Sequence, residues 1–144
     1  MKKFVLVLIL TIVIGITPSF LVGNDVSNLV LPNVYPPKIL FPIAWTILYI
    51  IMSITVTLAT KDDDTPFIIY FIQLVVNSLW TVIFFFLKLR LLAAIWIGIL
   101  IILVITMIYK FYQKNKLAGL LNIPYLMWLI FALYLNVAIY LLNR

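Results

Sequence analysis

A chain of 144 residues, 67% hydrophobic and only 10% charged, with a mean hydropathy of +1.28, cannot clothe itself for water; soluble domains are roughly half apolar and a quarter charged. The formal charge of +6 comes from ten cations standing in short runs between apolar stretches, where headgroups would meet them, so no nucleic-acid-binding face is expected. With no cysteine and no histidine, disulfides, thiolate metal sites, thiol nucleophiles and the usual general base and axial haem ligand are excluded together.

A hydrocarbon core of about 30 Å takes roughly 20 helical residues to cross. Five stretches qualify, and none carries a charge in its interior. They predict an all-α fold, an integral membrane bundle of five transmembrane helices forming a single domain over residues 1–144. The first runs from Phe4 to Val22. Lys2 and Lys3 ahead of it suggest a signal peptide, but the run ends in Thr17-Pro18-Ser19-Phe20 without a small-residue cleavage site, so a retained helix is expected. Residues 24–37 form a polar loop closing on Pro36-Pro37, a suitable entry to a helix.

The second span covers Lys38 to Thr60, and Lys61-Asp62-Asp63-Asp64-Thr65 turns the chain into a third span from Pro66 to Leu87. Lys88-Leu89-Arg90 is so short a turn that the third span and the fourth, Leu91 to Tyr112, must be antiparallel neighbours. A basic turn from Lys110 to Lys116 leads to the fifth, Leu117 to Leu142. An alternative start places Asn122 as a cap and Pro124 in the first turn, leaving 117–121 at the interface. Five spans put the termini on opposite sides. Lys2, Lys3, Lys61, Lys110, Lys114 and Lys116 then share one side, against Lys38, Lys88, Arg90 and Arg144 on the other. The positive-inside rule accordingly favours a cytoplasmic amino-terminus, in a bacterial cell membrane.

Asp25 and the aspartates at 62–64 all lie in loops, so the spans lack the carboxylates that a proton relay or an aspartyl intramembrane protease requires. What the spans do carry is aromatics and amides in stripes. Gln73, Asn77, Trp80, Thr81 and Phe84 follow one face of the third span at helical spacing. Trp45, Tyr49 and Met52 line up on the second, and Tyr125, Trp128, Ala132 and Asn136 on the fifth. Such stripes suit a pocket for a flat, mostly apolar ligand, with rings to stack and amides to orient. They equally suit helix packing, where amides act as interhelical glue and tryptophans mark the interfacial belt. Both readings stand at this level.

PPKILFPIAWTILY, from Pro36 to Tyr49, resembles the second helix of the TspO/translocator protein family, the tryptophan-rich sensory proteins or peripheral benzodiazepine receptors. QLVVNSLWTVIFF, from Gln73 to Phe85, resembles the third helix of that family, and IPYLMWLIFALYLNVAIYLLN, from Ile123 to Asn143, the fifth. The resemblance implies a five-helix bundle, a homodimer, and a pocket that binds porphyrins such as protoporphyrin IX and haem, sterols, or benzodiazepine-type drugs. It implies sensing, transport or disposal of tetrapyrroles, with no required cofactor.

By position, Trp45 and Trp128 match the tryptophans associated with porphyrin binding and its light-dependent breakdown. They are the candidates for a catalytic role, though none is firm. Asn77 matches the pocket amide, and Tyr49, Trp80 and Ala132 match further lining positions. With Gln73, Phe84 and Tyr125 from the stripes, these make up the expected ligand site. The alternatives are an enzyme that degrades porphyrin in light and a membrane subunit with only a packing role. Where the family usually has a Trp-Tyr pair in the first loop and a Trp before the double proline, this chain has Asp25-Val26 and Val34. Val137, Tyr140 and Arg144 also fit the loose sterol-contact pattern. Without histidine or cysteine, haem would need Tyr or Met as an axial ligand or be held by stacking and amide contacts alone; the second is favoured, so metal-free porphyrin should bind about as well.

Overall fold

Glycine and proline set the helix ends before any packing is considered. In the computed structural model, which describes residues 1–144, α1 spans Lys2–Val22 and ends where Gly23 takes a φ of 77°. That is the left-handed region open to a residue without Cβ. Helix α2 spans Leu40–Ala59, and α3 spans Pro66–Thr81 with its proline in the first turn, where no amide hydrogen is missed. Helix α3 continues into a π-helical turn, Val82–Phe86. Lys88 then turns the chain at φ 57°, and α4 runs over Arg90–Lys114.

The expected last span from 117 to 142 is two helices: a short α5, Lys116–Leu120, and α6, Ile123–Asn143. Asn115 caps α5, its Oδ1 accepting the Ala118 amide at 3.1 Å. Asn122 precedes α6 but turns its side chain back, donating to the Ala118 carbonyl at 2.9 Å. Gly119 makes the corner possible, since a Cβ there would fall 2.8 Å from the Tyr112 Cα. Counting α3 with its π turn and α5 with α6, the molecule is all-helical with five elements long and apolar enough to cross a bilayer. Only 35 of 144 residues are buried, so most of the leucine and isoleucine points outward, as it must when the surroundings are hydrocarbon.

Helix α4 is the hub, packing on α3, α5 and α6, while α1 lies against α2 and α3. The bundle has two unequal ends. The larger core gathers Tyr70, Leu74, Met52, Val56, Val104, Met107, Phe111 and Tyr125 at the end bearing the amino-terminus and the Lys61–Thr65 turn. There Thr11 and Tyr70 share a hydrogen bond between α1 and α3, and Ser53 of α2 joins them at 3.4 Å. Lys3 holds the turn outside, bonding Asp64 and the Thr60 carbonyl at 2.7 Å, and Lys114 pairs with Asp63 at 2.8 Å. At the opposite end the core shrinks to Ile83, Phe84, Ala93 and Ile139, with Leu29, Leu31, Tyr35 and Trp80 packed around it. Helix α2 belongs fully only to the first end. All its buried residues lie from Leu48 to Ala59, and its first eight residues contribute none.

Candidate functional site

Between the two cores, under the first loop, lies a pocket lined by 16 residues, 14 of them hydrophobic and none charged. Helix α2 supplies Phe41 and Trp45; α3 supplies Asn77 and Trp80, and its π turn Phe84 and Phe85. Ile97 and Leu100 come from α4, and α6 contributes Trp128, Leu129, Ala132, Leu135, Asn136 and Ile139. Val26 and Tyr35 of the loop close the top.

The π turn explains how neighbouring phenylalanines both reach this space. A wider turn changes the angular step between residues, and Phe84 and Phe85 meet edge to face at 4.8 Å, with Trp80 stacked on Phe84 at 5.1 Å. The altered ladder frees the Phe84 carbonyl, which accepts a hydrogen bond from the Arg90 guanidinium; the same group lies 4.5 Å above the Phe84 ring.

Two amides orient the walls. Asn136 anchors itself to the Ala132 carbonyl at 2.8 Å and accepts the Trp80 indole N–H at 3.0 Å. Asn77 Nδ2 donates to Tyr125 Oη at 2.8 Å, and the Tyr125 hydroxyl donates in turn to Gln73 Oε1 at 2.8 Å. Asn77 Oδ1 has no protein partner and is not sealed from the cavity, which leaves a single amide acceptor among the rings. The opposite wall is a chain of rings: Phe41 on Trp128 at 5.9 Å and Trp45 on Trp128 at 6.4 Å, both edge to face.

The loop is tethered from an unexpected direction. Asn143, near the end of α6, brackets Val30: its Oδ1 accepts the Val30 amide and its Nδ2 donates to the Val30 carbonyl, both at 2.8 Å. Val26 is 4% exposed beneath this tether, where it plugs the pocket. Asp25 folds its own turn, its carboxylate accepting from the Ser27 amide and hydroxyl, which holds it below the usual carboxylate range.

Of the residues expected in the site, Trp45, Asn77, Trp80, Phe84, Trp128 and Ala132 line this pocket. Tyr49, Gln73 and Tyr125 are not among its lining residues. Gln73 and Tyr125 are fully buried below the pocket floor, and the Tyr49 ring is seated on α1 at Gly15, where a Cβ would approach within 2.4 Å. Tyr125, bonded to Gln73, holds Asn77 from below. The residues not anticipated are Val26, Tyr35, Phe41, Phe85, the α4 pair, and the extra α6 positions. Phe41 stands four before Trp45, so helical spacing would have found it as it placed Asn136 on the stripe four after Ala132. Nothing in an evenly apolar α4 marks Ile97 or Leu100.

The cavity is about 80 Å³. Pockets that hold drug-sized ligands run to roughly 300–1,000 Å³, so a macrocycle would require these walls to part.

Residues 4–142 match the TspO/MBR family. The chain is 37% identical to a tryptophan-rich protein TspO of Archaeoglobus fulgidus, covering 98% of this chain and 97% of that one. It is 33% identical to protein CrtK of Rhodobacter capsulatus, covering 84% and 79% respectively. Against a translocator protein homolog of Schizosaccharomyces pombe the identity is 35%, covering 87% and 81%.

Proposed function

The chain belongs to the TspO/MBR family and is a multi-pass integral membrane protein; from that premise we propose that it binds a porphyrin, or a similarly flat apolar molecule, in the pocket beneath its first loop. The observation that carries the reading is the composition of the walls. Rings from α2, α3 and α6 surround one unpaired amide oxygen, Asn77 Oδ1, and no charge is present. Rings recognise a delocalised plane by stacking and edge contacts. The lone acceptor would orient a ligand N–H, and no residue present demands a metal at its centre. Sterols and drug-like molecules of similar shape belong to the same proposal, as does a homodimer in the membrane. Sensing, transport or disposal of the tetrapyrrole would all begin with this binding step.

The adjacent indoles of Trp45 and Trp128 favour a second reading. In it an illuminated porphyrin takes an electron from one indole, and dioxygen serves as the oxidant that breaks the macrocycle. Both readings are separated by one titration with protoporphyrin IX in the dark and in light. Trp45→Phe and Trp128→Phe keep a ring at each position, so dark affinity should fall only slightly, by roughly the 0.5–1.5 kcal/mol of an aromatic contact at most. Light-driven porphyrin loss should fall much further if the indoles donate electrons, because phenylalanine is far harder to oxidise. Photoproduct at the wild-type rate in the double variant would remove the second reading, and absence of saturable dark binding would remove the first.

A further inference from the structure

Most neighbouring spans in this bundle meet backbone to backbone. Helices α1 and α2, α1 and α3, α3 and α4, and α4 and α6 all pack closely, whereas α6 meets α3 and α2 chiefly through side chains; hydrogen bonds at Gln73, Asn77 and Trp80 fasten the α3 side, and none fastens the α2 side. On the pocket side, that contact consists of Phe41 and Trp45 reaching across to Trp128. The part of α2 that carries these two rings has no buried residue of its own, and Phe41, Trp45 and Trp128 all stay partly accessible. Above the pocket the situation is reversed. The loop is fastened to α6 through both polar atoms of the Asn143 amide, and opening it would expose Val26, Leu29 and Leu31 to water.

We propose that the seam between the first half of α2 and α6 is a lateral portal through which an apolar ligand dissolved in the bilayer enters the pocket, with Phe41, Trp45 and Trp128 as its shutter. The identity of the ligand rests on the function proposed above; the portal itself does not. Lipid tails are as apolar as the side chains they replace, so no hydrophobic penalty opposes turning these rings outward into hydrocarbon. Lifting the loop into water carries that penalty and breaks hydrogen bonds as well. The lower half of α2 stays clamped by Tyr49 on Gly15 and by its buried face, so the upper half can swing while the base holds. A cavity of about 80 Å³ makes such a movement a requirement for any ligand of porphyrin size.

The test needs a reporter inside the pocket, and Trp80 stands on the wall across from the seam. A protein retaining only Trp80, with phenylalanine at 45, 96 and 128, is placed in vesicles of phosphatidylcholine brominated at mid-chain. Phe41→Ala should increase quenching of Trp80 by the brominated chains, and Phe41→Leu, which keeps more of the bulk, should increase it less. In otherwise wild-type protein, Phe41→Ala should speed transfer of protoporphyrin IX from preloaded vesicles severalfold. Exit should quicken too, so affinity changes much less than either rate. Asn143→Ala, which frees the loop, should leave the entry rate unchanged. Faster entry with Asn143→Ala and none with Phe41→Ala would place the route under the loop and overturn the portal. Quenching of Trp80 that ignores both Phe41 variants would do the same, whether or not porphyrin binds. If quenching follows Phe41 but porphyrin never saturates, the portal stands and the ligand assignment fails.

Discussion

The two ends of this bundle are built from similar residues and behave oppositely. At the amino-terminal end, hydroxyls and amides bond across helices, the largest side chains are fully buried, and ion pairs clasp the rim. At the loop end, rings face one another across a small void, and the polar links are few: Asn136 to Trp80, Arg90 to the Phe84 carbonyl and Asn143 to the loop. The contrast teaches that hydrophobicity does not decide where a membrane protein is solid. In hydrocarbon an apolar contact is nearly exchangeable for lipid, whereas a polar group must find a polar partner. Cross-helix hydrogen bonds therefore mark the rigid end, and their scarcity marks the end that can open.

Removing one hydroxyl from each end gives the largest predicted difference. Tyr125→Phe strands Gln73 Oε1 and Asn77 Nδ2 in a buried site, where unpaired groups cost about 1–3 kcal/mol. Unfolding in mixed micelles should detect a loss of about 2 kcal/mol. Tyr35→Phe, at the loop end, removes a hydroxyl that bonds nothing in the protein and should stay within about 0.5 kcal/mol of wild type. Equal losses would erase the distinction between the ends.

A smaller effect is expected from Asn143→Ala. It should leave global unfolding nearly unchanged, shifted by less than about 1 kcal/mol. The Val30 amide, now without its acceptor, should exchange with solvent markedly faster. Protection that persists would mean the loop is held by its apolar residues rather than by the amide.

Acid should produce the slightest change, and only at the clasped rim. Lys114 and Thr65 hold the Asp63 carboxyl well below the usual carboxylate range. Since the folded value lies below the unfolded one, the stabilisation is complete above about pH 4 and fades as the pH falls through the folded value. Asp63 and Lys114 are both well exposed, which limits the effect. Thermal melts at pH 5 and pH 3 should differ slightly in the wild type and less in Lys114→Gln.

The spans were legible because the few charges fall where the chain leaves the membrane, and Trp45, Asn77, Trp80, Phe84, Trp128 and Ala132 because helical stripes reveal a shared face. A stripe does not reveal depth. Gln73 and Asn77 sit on one face of α3, yet Tyr125 pulls the first into the base and leaves the second at the cavity. Val26 was illegible for another reason. An apolar residue in a polar loop gives no local signal, and its burial depends on a tether between residues 113 positions apart. The break at Leu121 and Asn122 was half visible, since Pro124 announced a helix start, but the capping side chain belongs to Asn115.

The link between the π turn and α4 is three residues long, and it has a consequence for how the molecule is made. With so little chain between them, α3 and α4 cannot be laid across the bilayer independently. They must enter as a hairpin, sealed at depth by the Trp96 indole on the Val76 carbonyl at 2.7 Å. The walls of the cavity are contributed by α2, by this hairpin and by α6, and the tether that closes it is carried on the last residue of α6. During synthesis the cavity therefore comes into being last. A nascent chain released before Asn143 would carry every ring on α2 and α3 and still have nothing to close over.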